Sequence, residues 1–204
     1  MKTLELFCGT KSFSNVAEQY GYEIFTLDNN DEFNATITID ILNFDIDMLD
    51  GYKPDIIWAS PPCQQFSVAS IGKYMNFNNG YLPVDKQSIE AIKLVKKTVE
   101  IISVLQPKYF YIENPRAMLR KLELIPFSYS TVSYCQYGFK NMKPTDIWHN
   151  NPNWAKEAKF CGKGQPCHES APRGSKKGTQ GLKNAKERAR IPLKLIQEIL
   201  DYSK

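Results

Sequence analysis

The chain has 204 residues, enough for one domain with a sizeable core, and its 42% hydrophobic and 24% charged content is globular. No apolar run approaches membrane-spanning length, and the N-terminus lacks a signal peptide's unbroken apolar stretch, so membrane and secreted classes are set aside. The net charge of +4 hides an asymmetry: residues 1–60 carry three Lys/Arg against eleven Asp/Glu, and residues 159–190 carry nine against two.

Thr3 to Phe7 reads as a short strand, followed by a turn over Cys8-Gly9-Thr10-Lys11-Ser12. Ser12 or Ser14 is placed to cap a helix running to about Tyr20, which Gly21 ends. Glu23 to Leu27 is a second strand closed by Asp28, a helical turn lies near Glu32, and Thr36 to Ile39 is a third strand with Asp40 behind it. Asp55 to Ala59 is a fourth strand, and it runs into Ser60-Pro61-Pro62-Cys63-Gln64-Gln65-Phe66-Ser67.

Residues 68–85 have weak periodicity, the mark of a functional or disordered loop. From Asp85 to Leu105 apolar residues recur at Ile89, Ile92, Val95, Val99 and Ile102, a helical stripe. Tyr109 to Ile112 is a fifth strand ending in Glu113-Asn114-Pro115. Ser130–Tyr134 and Asp146–Trp148 read as closing strands, and Pro192 opens a last helix to Tyr202. This alternation predicts an α/β fold, a mostly parallel doubly wound sheet with helices on both faces.

In such sheets ligands sit beyond the carboxyl ends of the strands. Those ends carry Phe7-Cys8-Gly9-Thr10, Asp28, Asp40, Pro61-Pro62-Cys63 and Glu113-Asn114. Acids after the second and third strands suit ribose hydroxyls and an exocyclic amine, hence a nucleoside-bearing cofactor; each Asp alone would equally serve as a helix cap. The basic segment reads either as a solvated loop or as a phosphate-contacting surface. Five cysteines, an odd number without small-scaffold spacing, point to a reducing compartment.

Five blocks in order resemble the S-adenosylmethionine-dependent cytosine-5 methyltransferases of DNA: Leu4-Glu5-Leu6-Phe7-Cys8-Gly9, Asp28, Pro61-Pro62-Cys63-Gln64-Gln65-Phe66-Ser67, Glu113-Asn114-Pro115 and Ile191-Pro192-Leu193. The resemblance implies a Rossmann-like methyltransferase sheet with Cys63 as nucleophile and Glu113 at the N3 edge of the base. Prolines suit that role, because they fix φ and stiffen the approach to the thiol. The resemblance implies that Phe7, Cys8, Gly9 and Thr10 wrap the methionine part of S-adenosylmethionine, with Pro61 beside the cofactor. Asp28 would hold its ribose, and Asp40 and Ile41 would contact its adenine. Pro62, Gln64, Ser67 and Asn114 would line the substrate. DNA is the implied partner, in the cytoplasm of a prokaryotic or phage-infected cell.

Two departures stand out. Lys11 occupies the second glycine of the family's Phe-x-Gly-x-Gly, which would reshape the methionine pocket. Where the family has a Gln-x-Arg-x-Arg block the chain reads Tyr137-Gly138-Phe139-Lys140-Asn141-Met142-Lys143-Pro144-Thr145-Asp146-Ile147-Trp148, with Lys140 and Lys143 as candidates to stand for the arginines. About forty residues after Trp148 are too few for a usual recognition region. The short form resembles minimal, often phage-borne relatives. It leaves open the same chemistry on RNA or a free nucleotide, and a catalytically weak nucleic-acid-binding subunit with a protein partner for target recognition.

The remaining segment holds Cys161-Gly162-Lys163-Gly164-Gln165-Pro166-Cys167-His168. With Cys135 (or His149) it offers four tetrahedral ligands for a structural zinc; the alternative is a basic loop with free thiols. Arg173 and Lys176 follow as phosphate-contacting candidates. The expected organisation is a catalytic domain of residues 1–148 plus 189–204, with a basic Cys/His insertion at 149–188.

Overall fold

A computed structural model of the chain describes residues 1–67, 73–76, 82–162, 164–169 and 185–204. Its strands are β1 (Lys2–Leu6), β2 (Glu23–Asp28), β3 (Ile37–Thr38), β4 (Ile56–Ala59), β5 (Met75–Asn76), β6 (Leu82–Pro83), β7 (Tyr109–Pro115), β8 (Tyr129–Ser133) and β9 (Pro144–His149). Its helices are α1 (Ser14–Gln19), α2 (Lys86–Leu105), α3 (Pro152–Ala155), α4 (Ala185–Ala189) and α5 (Leu193–Asp201). Among the described residues the main sheet has the order β3-β2-β1-β4-β7-β9-β8, while β5 and β6 form a separate antiparallel pair.

The five strands from β3 to β7 are parallel, and β9 and β8 close the edge antiparallel. The mostly parallel Rossmann-like sheet expected from the sequence is therefore present. From β1 the chain winds outward to β2 and β3, then returns to the other side as β4 and β7. The switch point lies between β1 and β4, where ligands gather in sheets of this type.

β4 is buried along its whole length, as a central parallel strand must be, and its Ile-Ile-Trp-Ala run needs no polar face. Alternate residues serve two cores. Ile57 and Ala59 join Leu4, Leu6, Val95, Ile102 and Ile112 on the α2 side. Ile56 and Trp58 join Phe13, Tyr111, Trp154 and Leu195 on the side of α1 and α5. Trp58 is fully buried and stacks on Phe13 with ring centroids 5.3 Å apart.

α2 begins in a capping box: Asp85 accepts from the Ser88 N–H at 2.8 Å, and the Ser88 hydroxyl faces the Asp85 N–H. α1 departs from expectation. Phe13 occupies its cap position, and neither Ser12 nor Ser14 caps it by side chain. Glu5 on β1 substitutes, accepting from the Ser14 N–H at 2.9 Å and from the Ser14 hydroxyl at 2.5 Å. Burial pushes that carboxyl up to about 7, against the hydrogen bonds that favour its charged form.

Candidate active site

The loop after β1 is built from left-handed backbone. Phe7, Gly9 and Lys11 have φ of 58°, 46° and 54°. For Phe7 and Lys11 this conformation costs about 1–3 kcal/mol each and marks a functional site when the surroundings enforce it. The enforcement is visible: the Cys8 N–H donates to the Leu27 carbonyl at 3.1 Å, and the Gly9 N–H donates to Asp28 Oδ2 at 2.8 Å.

Asp28, at the end of β2, is buried, and its Oδ1 accepts from the Asn30 N–H at 3.0 Å. Two of the roughly four acceptor positions of a carboxylate are thus used, leaving capacity for a diol. Asp40 accepts from the Leu42 N–H at 2.9 Å and caps the turn that buries Ile41. A polar, glycine-containing loop beside two strand-end acids fits a nucleoside-bearing cofactor. Lys11 sits where a glycine's φ is needed and sends its ammonium sideways to the Asn34 carbonyl, 2.6 Å away.

Across the switch point, β4 delivers Pro61, Pro62 and Cys63, and β7 delivers Glu113 and Asn114. Asn114 is fully buried and its Nδ2 donates to the Pro61 carbonyl at 3.0 Å, which ties the two strand ends together. The Phe66 N–H closes a turn on the Cys63 carbonyl at 3.0 Å, and Ser67 Oγ reaches the Gln64 carbonyl at 3.4 Å. Burial raises the Cys63 thiol above its ordinary 9.0, the nearby Glu113 charge adds to this, and Lys143 opposes it.

Glu113 is buried with two partners on one oxygen. The Tyr134 hydroxyl donates to Oε1 at 2.8 Å, and the Lys143 ammonium lies 3.7 Å from the same atom. Lys143 also sits 4.4 Å above the Tyr134 ring and donates to the Arg188 carbonyl at 2.9 Å. Sequence reasoning assigned no role to Tyr134, because a tyrosine closing a strand reads as core. Lys143 carried a signal, its place in the segment that replaces two arginines.

The predicted ligand set also assembles. Cys135, Cys161, Cys167 and His168 present atoms that all lie within 4.8 Å of one another. Cys161 and Cys167 sulfurs are 3.1 Å apart, Cys135 and Cys167 sulfurs 3.6 Å, and His168 Nδ1 is 3.5 Å from Cys161 Sγ. Tetrahedral thiolates around one ion would sit about 3.8 Å apart for a metal–sulfur bond of about 2.3 Å, so the donors fit. His168 draws the Cys167 thiol down to about 7, toward the form that binds metal. His149 is elsewhere: its Nδ1 accepts from the Asn151 N–H at 3.1 Å, within a Tyr111 and Trp154 aromatic cluster. Arg173 and Lys176 lie outside the described residues.

A family model described as C-5 cytosine-specific DNA methylase matches residues 1–125. A Frog virus 3 (isolate Goorha) protein named "Probable DNA (cytosine-5)-methyltransferase" is 29% identical over 227 residues, covering 98% of this chain and 99% of its own length. The type II methyltransferase M.HgiGI of Herpetosiphon aurantiacus is 29% identical over 137 residues, 60% of this chain and 97% of its own. Among solved structures, Entamoeba histolytica methyltransferase EhMeth aligns with a TM-score of 0.54 at 14% identity, over 75% of this chain and 54% of that one. This last likeness is one of fold, and the present chain spans about half that protein's length.

Proposed function

The chain belongs to the C-5 cytosine-specific DNA methylase family, and from that premise we propose that it transfers a methyl group from S-adenosylmethionine to C5 of cytosine in DNA, with Cys63 as nucleophile and Glu113 at the N3 edge of the base. The observation that carries this reading is the Asn114 to Pro61 hydrogen bond of 3.0 Å, which holds the two strand ends bearing Cys63 and Glu113 together.

Phe7, Cys8, Gly9, Thr10 and Pro61 border the methionine part of the cofactor in this reading, Asp28 takes the ribose hydroxyls, and Asp40 and Ile41 meet the adenine. When bound, S-adenosylmethionine supplies an electrophilic methyl carbon. Cytosine C5 attacks it only once the ring is made electron-rich. The Cys63 thiol gives up its proton to solvent as its sulfur bonds to C6, and the C5–C6 π electrons become available at C5. Glu113 relieves the accompanying charge by hydrogen bonding or proton donation at N3. C5 takes the methyl group, with the thioether S-adenosylhomocysteine left behind. The C5 proton then leaves to solvent or a base, N3 returns any proton to Glu113, the C5–C6 double bond re-forms, and Cys63 departs as thiolate. Pro62, Gln64, Ser67 and Asn114 frame the base, and Arg173 and Lys176 contact phosphates. A cytoplasmic, reducing setting suits a nucleophile that must remain a free thiol.

The Cys135, Cys161, Cys167 and His168 set holds one structural zinc in the same reading, stapling the 149–188 insertion to the catalytic domain of residues 1–148 and 189–204. A basic segment with few apolar residues to bury gains most from such a staple. Metal analysis of untagged protein tests this, with stoichiometric zinc in the wild type and its loss in Cys161→Ala and Cys167→Ala as the expected result. The transfer reading is tested by supplying tritiated-methyl S-adenosylmethionine with duplex DNA, single-stranded DNA, tRNA and dCMP. Label at C5 of cytosine in DNA is expected; transfer to none of them by folded protein would overturn it.

A further inference from the structure

We propose that the Cys135–Cys161–Cys167–His168 centre acts on catalysis through Tyr134, a positioning residue that the metal-held turn fixes against the Glu113 carboxylate; this rests on the roles given above to Glu113 and to zinc. The centre and the active site share a piece of backbone. Cys135 is the second residue of a single 3₁₀ turn, Tyr134–Tyr137, and Tyr134 is the first. One side of that turn supplies a sulfur ligand, and the other supplies the hydroxyl that donates to Glu113 Oε1 at 2.8 Å.

A four-residue 3₁₀ turn has little stability of its own, because its hydrogen bonds are few and poorly aligned. Its position is set by what it is attached to. The Tyr134 N–H donates to the Met142 carbonyl at 2.8 Å, and the Ser133 N–H to the Lys159 carbonyl at 2.9 Å. The Cys161 N–H donates to Ser133 Oγ at 3.0 Å, and Gln136 Nε2 reaches Cys167 Sγ at 3.2 Å. The segment carrying Cys161 and Cys167 is therefore laced along both ends of the turn, and an ion joining Cys135 to Cys161, Cys167 and His168 would lock the lacing.

Tyr134 itself has no exposed surface, so its hydroxyl has no water to fall back on if the turn shifts. Glu113 then loses its 2.8 Å donor, and only the Lys143 ammonium, 3.7 Å away, still holds that oxygen, so the terminal torsion, the softest in the side chain, is less firmly fixed. Misplacement of a group by about an ångström costs on the order of a hundredfold in rate, and a partial loss of fixation costs part of that.

The test uses the full chain and compares wild type, Tyr134→Phe, Cys167→Ala and the double variant. Cys167 is exposed, so its removal leaves the core untouched. Tyr134→Phe should keep its zinc and lose about tenfold in kcat, with the KM for S-adenosylmethionine changed less than about twofold. Cys167→Ala should lose zinc, lose a similar factor in kcat, and show faster amide exchange across Tyr134–Tyr137 while β1 and β4 stay protected. The double variant should be no slower than Cys167→Ala by more than about twofold, since both changes remove one interaction. Multiplying losses, an unchanged kcat in either single variant, or unchanged exchange in the turn would overturn the coupling. Wild type without zinc would sink the metal reading and this coupling together. Wild type without transfer would sink the enzymatic reading, whereas zinc and transfer both present with an unchanged Cys167→Ala sinks the coupling alone.

Discussion

The Asn114 carboxamide donates to the Pro61 carbonyl at 3.0 Å and so ties the end of β7 to the proline pair that carries Cys63. Its Oδ1 is buried with no protein partner among the described residues. Asn114→Ala should remove the tie. The predicted result is a loss of about a hundredfold in kcat from misplacement of the thiol relative to Glu113. The melting temperature should fall only as far as a loss of about 1–3 kcal/mol dictates, the cost of one buried hydrogen bond broken on one side. Steady-state transfer rates and thermal melts separate the two; equal rates would deny Asn114 its orienting part.

Cys63→Ser should abolish methyl transfer while leaving the fold and S-adenosylmethionine binding intact, because the serine hydroxyl is a far weaker nucleophile than a thiolate. DNA with 5-fluorocytosine at the target should trap the wild type covalently, since fluorine at C5 blocks the final elimination. The adduct is read by mass on denaturing gels. A wild type that methylates but forms no adduct would rule out covalent catalysis.

In the free protein the Cys63 thiol is raised above 9.0 by burial and by Glu113, with Lys143 opposing. Its alkylation by iodoacetamide should therefore be slow at neutral pH and climb only above the range of ordinary cysteines. Lys143→Met removes the opposing charge, so the inflection should move further up. A downward or absent shift would show that Lys143 does not act on the thiol.

Two buried groups give stability slopes of opposite sign. Glu5 is raised from 4.5 to about 7, so its contribution is full below 4.5 and is lost as pH rises through about 7. His149 is lowered from 6.5 to about 4 by burial, so its contribution is full above 6.5 and is lost as pH falls toward 4. Urea midpoints over this range should show Glu5→Gln flattening the first decline and His149→Gln the second, each by about 1–3 kcal/mol. An unchanged slope in either variant would assign the pH dependence elsewhere.

Much of this was legible in the sequence because strand ends announce themselves. Ile-Ile-Trp-Ala before Pro-Pro-Cys, and Tyr-Phe-Tyr-Ile before Glu-Asn, are apolar runs broken by chemistry, and both became adjacent parallel strands. The four-ligand cluster was legible from cysteine and histidine types alone. What stayed hidden depends on partners distant in sequence. The α1 cap comes from Glu5, nine residues upstream of Ser14, and a search among neighbouring serines cannot find it. Tyr134 meets Glu113 across 21 residues, and only the register of β9 between β7 and β8 brings them together. The left-handed Lys11 was legible only through the glycine whose place it takes, since nothing in lysine's own chemistry forecasts a positive φ.

The two faces of the sheet are completed at different moments of synthesis. Among the described residues, every apolar contributor to the α2-side core has been made once Trp148 has been added. The opposite face waits for α5, whose Leu195, Ile196, Ile199 and Leu200 are wholly buried, and for Ser203, whose hydroxyl meets that of Tyr111 at 2.8 Å across 92 residues. Until then Phe13, Trp58, Tyr111 and Trp154 line a nascent hydrophobic surface with no lid. At about 5–20 residues per second the growing chain carries that surface for seconds, as a client for a holding chaperone. A ribosome stalled before Leu193 would release a half-folded chain that is prone to self-association.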